Sequence, residues 1–71
     1  MNSAFIEFFS DLVELEVGEF NESTLLEEIE MWDSMSVISL IAFANSELGI
    51  ELTGEAIISC ATVGDLDALL S

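Results

Sequence analysis

Hydrophobic residues recur at helical spacing along most of this chain, and polar residues fill the positions between them. Residues 4–15 follow this pattern and predict an amphipathic helix with Ser3 as its N-cap. Residues 34–48 carry a wider apolar stripe and predict a second, longer helix. Gly49 follows the last periodic residue, where a glycine in the left-handed conformation commonly ends a helix.

Two shorter helices follow in the second half of the chain. Residues 54–59 predict a brief helix capped by Thr53, and its apolar residues, which we expect to point inward, are Ile57 and Ile58. The last helix begins at Thr62, and the spacing between Thr62 and Asp65 is that of a capping box. Its apolar face consists of Leu66, Leu69 and Leu70.

The stretch between the first two long helices predicts a loop. Residues 16–32 contain Gly18 and lack a sustained helical period, although Thr24 has capping-box spacing to Glu27 and predicts one helical turn. No strand-like alternation of useful length occurs. We therefore expect residues 1–71 to form a single all-α domain, a bundle of three main helices plus one short helix with a long first loop.

The charge of the chain excludes several classes of function. Its 71 residues contain fifteen Asp and Glu and no Lys, Arg or His, which gives a formal net charge of −15. A nucleic-acid binder needs basic groups for phosphate contacts, and this chain has none. It also offers no imidazole as a general base and no lysine for Schiff-base chemistry. We also predict no metal site, because no calcium-loop pattern is present. No apolar run is long enough for a membrane helix and no secretory signal is seen, so we expect a cytoplasmic monomer without membrane insertion.

Asp33 and Ser34 lie where the acidic loop meets the second long helix. Taken alone, this pair predicts a helix cap, because Asp and Ser are among the best N-cap residues. The start of a helix is also a favourable place for a phosphate, since free N–H groups and the positive end of the helix dipole meet there.

A longer ordered pattern surrounds this pair. It consists of Trp32-Asp33-Ser34-Met35, then Leu48-Gly49-Ile50-Glu51-Leu52, then Ala61-Thr62-Val63-Gly64-Asp65-Leu66. In this order and spacing the chain resembles the acyl carrier proteins over nearly its whole length. The resemblance implies that Ser34 carries covalent 4′-phosphopantetheine, transferred from coenzyme A by a phosphopantetheinyl transferase using Mg²⁺. It implies a double role for Asp33, as helix cap and as part of the motif presented to the transferase.

The same resemblance implies a carrier and not an enzyme. Acyl or aminoacyl intermediates would travel as thioesters on the arm, between loading and processing enzymes of fatty-acid, polyketide or specialised-metabolite biosynthesis. Fatty-acid carriers usually have an acidic exposed face on the second helix, whereas the corresponding positions here include Ser36, Ser39, Asn45 and Ser46, and only Glu47 is acidic. We therefore expect a specialised carrier, with electrostatic steering of its partners from Glu28, Glu30, Asp33, Glu47 and Glu51. Its predicted partner-binding residues are Met35, Ser36, Val37, Ser39, Glu47 and Glu51.

Three further points remain open from the sequence. The acidic charge also fits a non-catalytic interaction protein, such as a nucleic-acid mimic that occupies a basic groove. For Trp32 we expect packing in the loop, with a partner contact as the alternative. For Cys60 we expect a small buried hydrophobe, with a thiol nucleophile as the minor alternative, since no cation is present to activate a thiol. Core packing or the lining of a cleft for a short acyl chain is open for Leu40, Phe43 and Ile58.

Overall fold

The computed structural model describes residues 1–70, and four α-helices form the body of the domain. These are α1 (Ser3–Val13), α2 (Ser34–Leu48), α3 (Gly54–Ile58) and α4 (Val63–Leu69). Single 3₁₀ turns at Val17–Glu19 and Leu26–Glu28 interrupt the long first loop. The predicted all-α bundle with three main helices, one short helix and a long first loop is confirmed. No helix among the described residues has the length and apolar character needed to cross a membrane.

The first helix begins and ends slightly earlier than predicted. Its N-cap is Asn2 and not Ser3, because the Asn2 side-chain oxygen accepts hydrogen bonds from the N–H groups of Ala4 (2.8 Å) and Phe5 (3.2 Å). The helix ends at Val13 because Glu14 adopts a left-handed conformation with φ of 57°. The predicted cap at Ser3 and the predicted end near residue 15 are therefore wrong by one and two residues.

The second helix has the predicted bounds, Ser34–Leu48, and a predicted capping residue is found at each end. Asp33 caps its start, and Gly49 ends it with φ of 66°. The following N–H, that of Ile50, bonds to the Ala44 carbonyl at 2.9 Å. A left-handed glycine with no side chain makes this return without strain.

The last helix is also capped as predicted. The Thr62 hydroxyl accepts from the N–H of Asp65 at 3.1 Å. The Asp65 carboxylate accepts from the N–H groups of Thr62 (3.1 Å) and Ala61 (2.9 Å). These N–H donors lower the pKa of Asp65 below its ordinary value.

Backbone hydrogen bonds join the first loop to the start of α4. The N–H groups of Leu26, Val63 and Gly64 bond respectively to carbonyls of Ala61, Thr24 and Glu22, at 2.9–3.0 Å. A side chain at Gly64 would lie 2.9 Å from the Glu22 carbonyl oxygen, so the close approach requires glycine. Thr24 takes part through its backbone, and its hydroxyl accepts from Asn21. The predicted capping box at Thr24 is wrong, because the turn at residues 26–28 has no side-chain cap.

The core lies between α1, α2 and the shorter helices. Phe9 is at its centre, and its ring lies 5.2 Å from that of Phe20 and 5.7 Å from that of Trp32. A second contact, between the stacked rings of Phe8 and Phe43 at 4.2 Å, joins α1 to α2 nearer the surface. The side chains at the centre, all at most 1% exposed, are Phe5, Phe9, Leu40, Ala44, Ile57, Val63 and Leu66.

One predicted core residue is outside it. Ile58 is 74% exposed, whereas its neighbour Ile57 is 1% exposed. A helix of five residues can bury only one side of its surface, and α3 directs Ile57 to the core. The prediction that both side chains point inward is therefore wrong for Ile58.

Candidate functional site

The start of α2 is built by a reciprocal pair of hydrogen bonds. The Asp33 carboxylate accepts from the N–H of Ser36 at 3.0 Å, and the Ser36 hydroxyl accepts from the N–H of Asp33 at 3.3 Å. The Ser36 hydroxyl also donates to the Met31 carbonyl at 2.9 Å, so it ties the helix to the preceding loop. This arrangement fixes the backbone on both sides of Ser34.

Ser36 is consequently a structural residue. It is only 3% exposed, and its hydroxyl is engaged on the inner side of the helix start. A partner protein cannot contact this side chain without opening the cap. The structure therefore removes Ser36 from the predicted partner-binding set.

Ser34 is the first residue of α2, and its side chain is exposed. Within residues 1–70, no hydrogen bond uses its hydroxyl or the N–H groups of Ser34 and Met35. These N–H groups precede the first position that can bond within the helix, so they are free to meet an anion. The geometry fits a phosphodiester at Ser34, because the positive end of a 15-residue helix faces it.

An apolar cleft of about 430 Å³ opens beside Ser34, and we call it the Ser34 cleft. Its polar end is formed by Asp33 and Ser34. The apolar lining on the α2 side is Trp32, Val37 and Ile38, and on the α3 side Ile57, Ile58 and Cys60. Of the residues left open between core and cleft, Ile58 lines the cleft, whereas Leu40 and Phe43 do not.

Exposed apolar side chains surround the mouth of this cleft. Met35, Ile38 and Ile58 are 66%, 59% and 74% exposed. Ile38 lies four residues after Ser34, and residues at this spacing share one face of a helix. Ile38 belongs to the predicted apolar stripe of α2 and was not predicted as a site residue. Its spacing from Ser34 is the sequence signal that could have identified it.

The remaining predicted partner-binding residues do not form one cluster. Val37 and Ser39 are half-buried, and Glu47 and Glu51 are exposed near the far end of α2. Glu47 is twelve positions from Met35, which corresponds to roughly 18 Å along a helix. Only Met35 and Val37 among them lie close to Ser34 in the chain.

Trp32 and Cys60 both line the cleft. Trp32 is half-buried and packs against the core, as predicted. Cys60 is also half-buried, and its thiol donates to the Ala56 carbonyl at 3.4 Å. Burial, and secondarily the negative charge of Asp65, raises the pKa of the Cys60 thiol. A raised pKa lowers the thiolate fraction, so Cys60 is a poor nucleophile at neutral pH.

A scan against protein-family models matches residues 3–70 to the family described as "phosphopantetheine attachment site". The match covers almost the whole domain. The chain belongs to this family of acyl carrier proteins. Searches of curated proteins and of solved structures gave no match.

Membership confirms the resemblance found in the motif order around Ser34. Members of the family carry 4′-phosphopantetheine covalently on a serine, so the domain is a phosphopantetheine-dependent carrier. Such carrier domains work with a phosphopantetheinyl transferase and with biosynthetic enzymes. They are typically non-catalytic.

Proposed function

We propose that Ser34 is the attachment residue and that the chain carries acyl or aminoacyl groups as thioesters. The observation that carries this proposal is the helix start itself. An exposed serine hydroxyl lies next to two free N–H groups, and the cap formed by Asp33 and Ser36 holds the local backbone. When attached to Ser34, 4′-phosphopantetheine would supply a terminal thiol on a flexible arm.

The reaction that attaches the arm must be catalysed by another protein. Activation of a serine needs a base, and this chain contains no His or Lys. The carboxylate nearest in sequence, that of Asp33, is already bound to the N–H of Ser36. A phosphopantetheinyl transferase and its Mg²⁺ would therefore supply the activation, and Ser34 would supply only the accepting hydroxyl.

The chain itself has no catalytic role in this proposal. Its only thiol, at Cys60, has a raised pKa and is half-buried. Loading and processing enzymes would perform the chemistry on the carried group. The apolar lining of the Ser34 cleft would shelter an apolar cargo from water while the carrier moves between these enzymes.

The proposed docking surface combines exposed apolar residues near Ser34 with acidic residues around them. Met35 and Ile38 would make the direct contacts, because they are exposed on the helix that starts at Ser34. The net charge of −15 would steer the monomer toward basic surfaces on its partners. This distribution supports a specialised carrier, because the exposed face of α2 has few acids of its own.

Intact-mass measurement tests the proposal. The chain is incubated with coenzyme A, Mg²⁺ and a broad-specificity phosphopantetheinyl transferase. The expected result is the addition of one 4′-phosphopantetheine to the wild type and to Ser39→Ala, and no addition to Ser34→Ala. Failure of the wild type to gain mass with several unrelated transferases would contradict it. Salt-sensitive binding of that unmodified chain to a basic protein would then favour the acidic mimic.

A further inference from the structure

A second cleft adjoins the Ser34 cleft. It has a volume of about 410 Å³, and we call it the loop cleft because Leu25, Leu26 and Glu27 of the first loop line it. Ala61 completes this lining. The side chains that line both clefts are Trp32, Ile58 and Cys60. The two clefts therefore adjoin at these three residues, which we call the wall.

The members of this wall differ in how firmly they are held. The Trp32 ring lies 5.7 Å from the buried ring of Phe9, and the Trp32 N–H bonds to the Ile29 carbonyl at 3.1 Å. Cys60 is half-buried and bonded to the preceding helical turn. Ile58 is 74% exposed at the last position of the five-residue α3, so few neighbours restrain it.

We propose that this wall limits the length of the apolar group that the carrier shelters, and that Ile58 is the residue which sets the limit. The proposal rests on attachment at Ser34, which itself lines the Ser34 cleft. A short acyl group would fill the Ser34 cleft and stop at the wall. A longer group would have to pass over the exposed Ile58 side chain to reach the loop cleft, and truncation of Ile58 would shorten that exposed path. Trp32, packed on the core, is the fixed side of the wall.

The apolar surface available to each methylene decides which groups are sheltered. Each additional methylene gains by leaving water only while it still finds an apolar surface to cover it. At the wall, a methylene would lie over the largely exposed Ile58 side chain and would remain largely in water. For short acyl groups, protection from water should therefore increase with each added methylene. Once the acyl group fills the Ser34 cleft, a longer group should be protected no better.

A graded set of acyl groups tests this limit. The transferase is supplied with acetyl-, butyryl-, hexanoyl-, octanoyl- and decanoyl-coenzyme A, so that Ser34 receives the arm with its acyl group attached. Intact mass verifies loading. Melting temperature and the emission of Trp32, the only tryptophan of a chain without tyrosine, report whether the clefts are occupied. In the wild type both signals should change with length and then stop changing within the series.

Two alanine variants distinguish a length limit from general loss of apolar surface. Ile58→Ala should extend the series, so that both signals still change at lengths where the wild type has stopped. Ile38→Ala is the matched control, because Ile38 is similarly exposed but lines only the Ser34 cleft. It should weaken the signals without extending the series. Both exposed positions should tolerate alanine, and the melting of the unloaded variants checks this.

The outcomes separate this inference from the proposed function. Loading without any dependence on length would overturn the inference, and so would an identical limit in the wild type and Ile58→Ala. Both results leave attachment at Ser34 intact. Failure of the wild type to load with any acyl-coenzyme A or with coenzyme A itself overturns the proposed function and the inference together.

Discussion

Replacing Ser36 by alanine should destabilise the domain more than its small size suggests. The substitution removes the hydrogen bond to the Met31 carbonyl and the bond accepted from the Asp33 N–H. Two such bonds contribute about 2 kcal/mol to the free energy of unfolding. Alanine returns roughly 0.5 kcal/mol, because it is the better helix former. A net loss of about 1.5 kcal/mol remains, which corresponds to a melting temperature lower by about 6–12 °C in a domain of this size.

Thermal unfolding followed by circular dichroism, at fixed salt and pH, measures this loss. Ser39→Ala is the matched control, since it makes the same change on α2 at a half-buried serine whose hydroxyl makes no hydrogen bond within residues 1–70. It should melt at or slightly above the wild-type temperature. If Ser36→Ala melted no lower than Ser39→Ala, the cap would not hold the helix start, and the positioning of Ser34 would need another explanation.

Three further predictions concern charge and packing. Adding salt should raise the melting temperature, because it screens repulsion among fifteen carboxylates that no basic side chain offsets; a melting temperature indifferent to salt would contradict this. Asp65→Asn should be less stable than the charge-matched Glu7→Gln at neutral pH. The pKa of Asp65 is lowered in the fold, so its contribution is present above the unfolded value of about 3.9 and is lost as the pH falls through the lowered value. The gap between these two variants should therefore close in acid, and a constant gap would refute the argument. In chemical denaturation Leu40→Ala, at a fully buried position, should lose about 2–5 kcal/mol, whereas Met35→Ala, at a 66% exposed one, should stay within about 0.5 kcal/mol; equal losses would contradict the assigned burial.

The parts of the fold that depend on neighbours in sequence were predictable. The bounds of α2 follow from its apolar period together with Asp33 at one end and Gly49 at the other. The start of α4 follows in the same way from Thr62 and Asp65. In each case the residue that accepts or donates the capping bond lies within a few positions of its partner, so a local pattern contains the whole interaction.

The parts that depend on distant contacts were not predictable. The hydrogen bond from the Val63 N–H to the Thr24 carbonyl joins segments about forty residues apart. No pattern in either segment predicts that it pairs with the other. Ile57 and Ile58 are equally apolar, and a five-residue helix is too short for its period to choose between them. The packing of the whole domain makes that choice.

The sequence predicted Ser34 and Asp33 as the centre of the candidate site, and it predicted only some of the residues around them. Ser34 and Asp33 stand out because the motif order identifies them, and the family match supports that interpretation. Ser36 was misplaced because a serine in a helix is usually exposed, whereas here the Met31 carbonyl of the preceding loop binds its hydroxyl. Around the mouth of the cleft, Met35 was predicted as a partner contact and Ile58 was left open as cleft lining, whereas the exposure of Ile38 became visible only with the structure.

Locating the arm within the modified chain tests the central claim most directly. The transferase-treated protein is cleaved after glutamate, since the chain has no Lys or Arg for trypsin, and the peptide of residues 31–47 is fragmented in the mass spectrometer. This peptide contains four serines, namely Ser34, Ser36, Ser39 and Ser46. We predict that fragment ions place one 4′-phosphopantetheine on Ser34. An arm on any other residue, or a modified Ser34→Ala variant, would contradict the account.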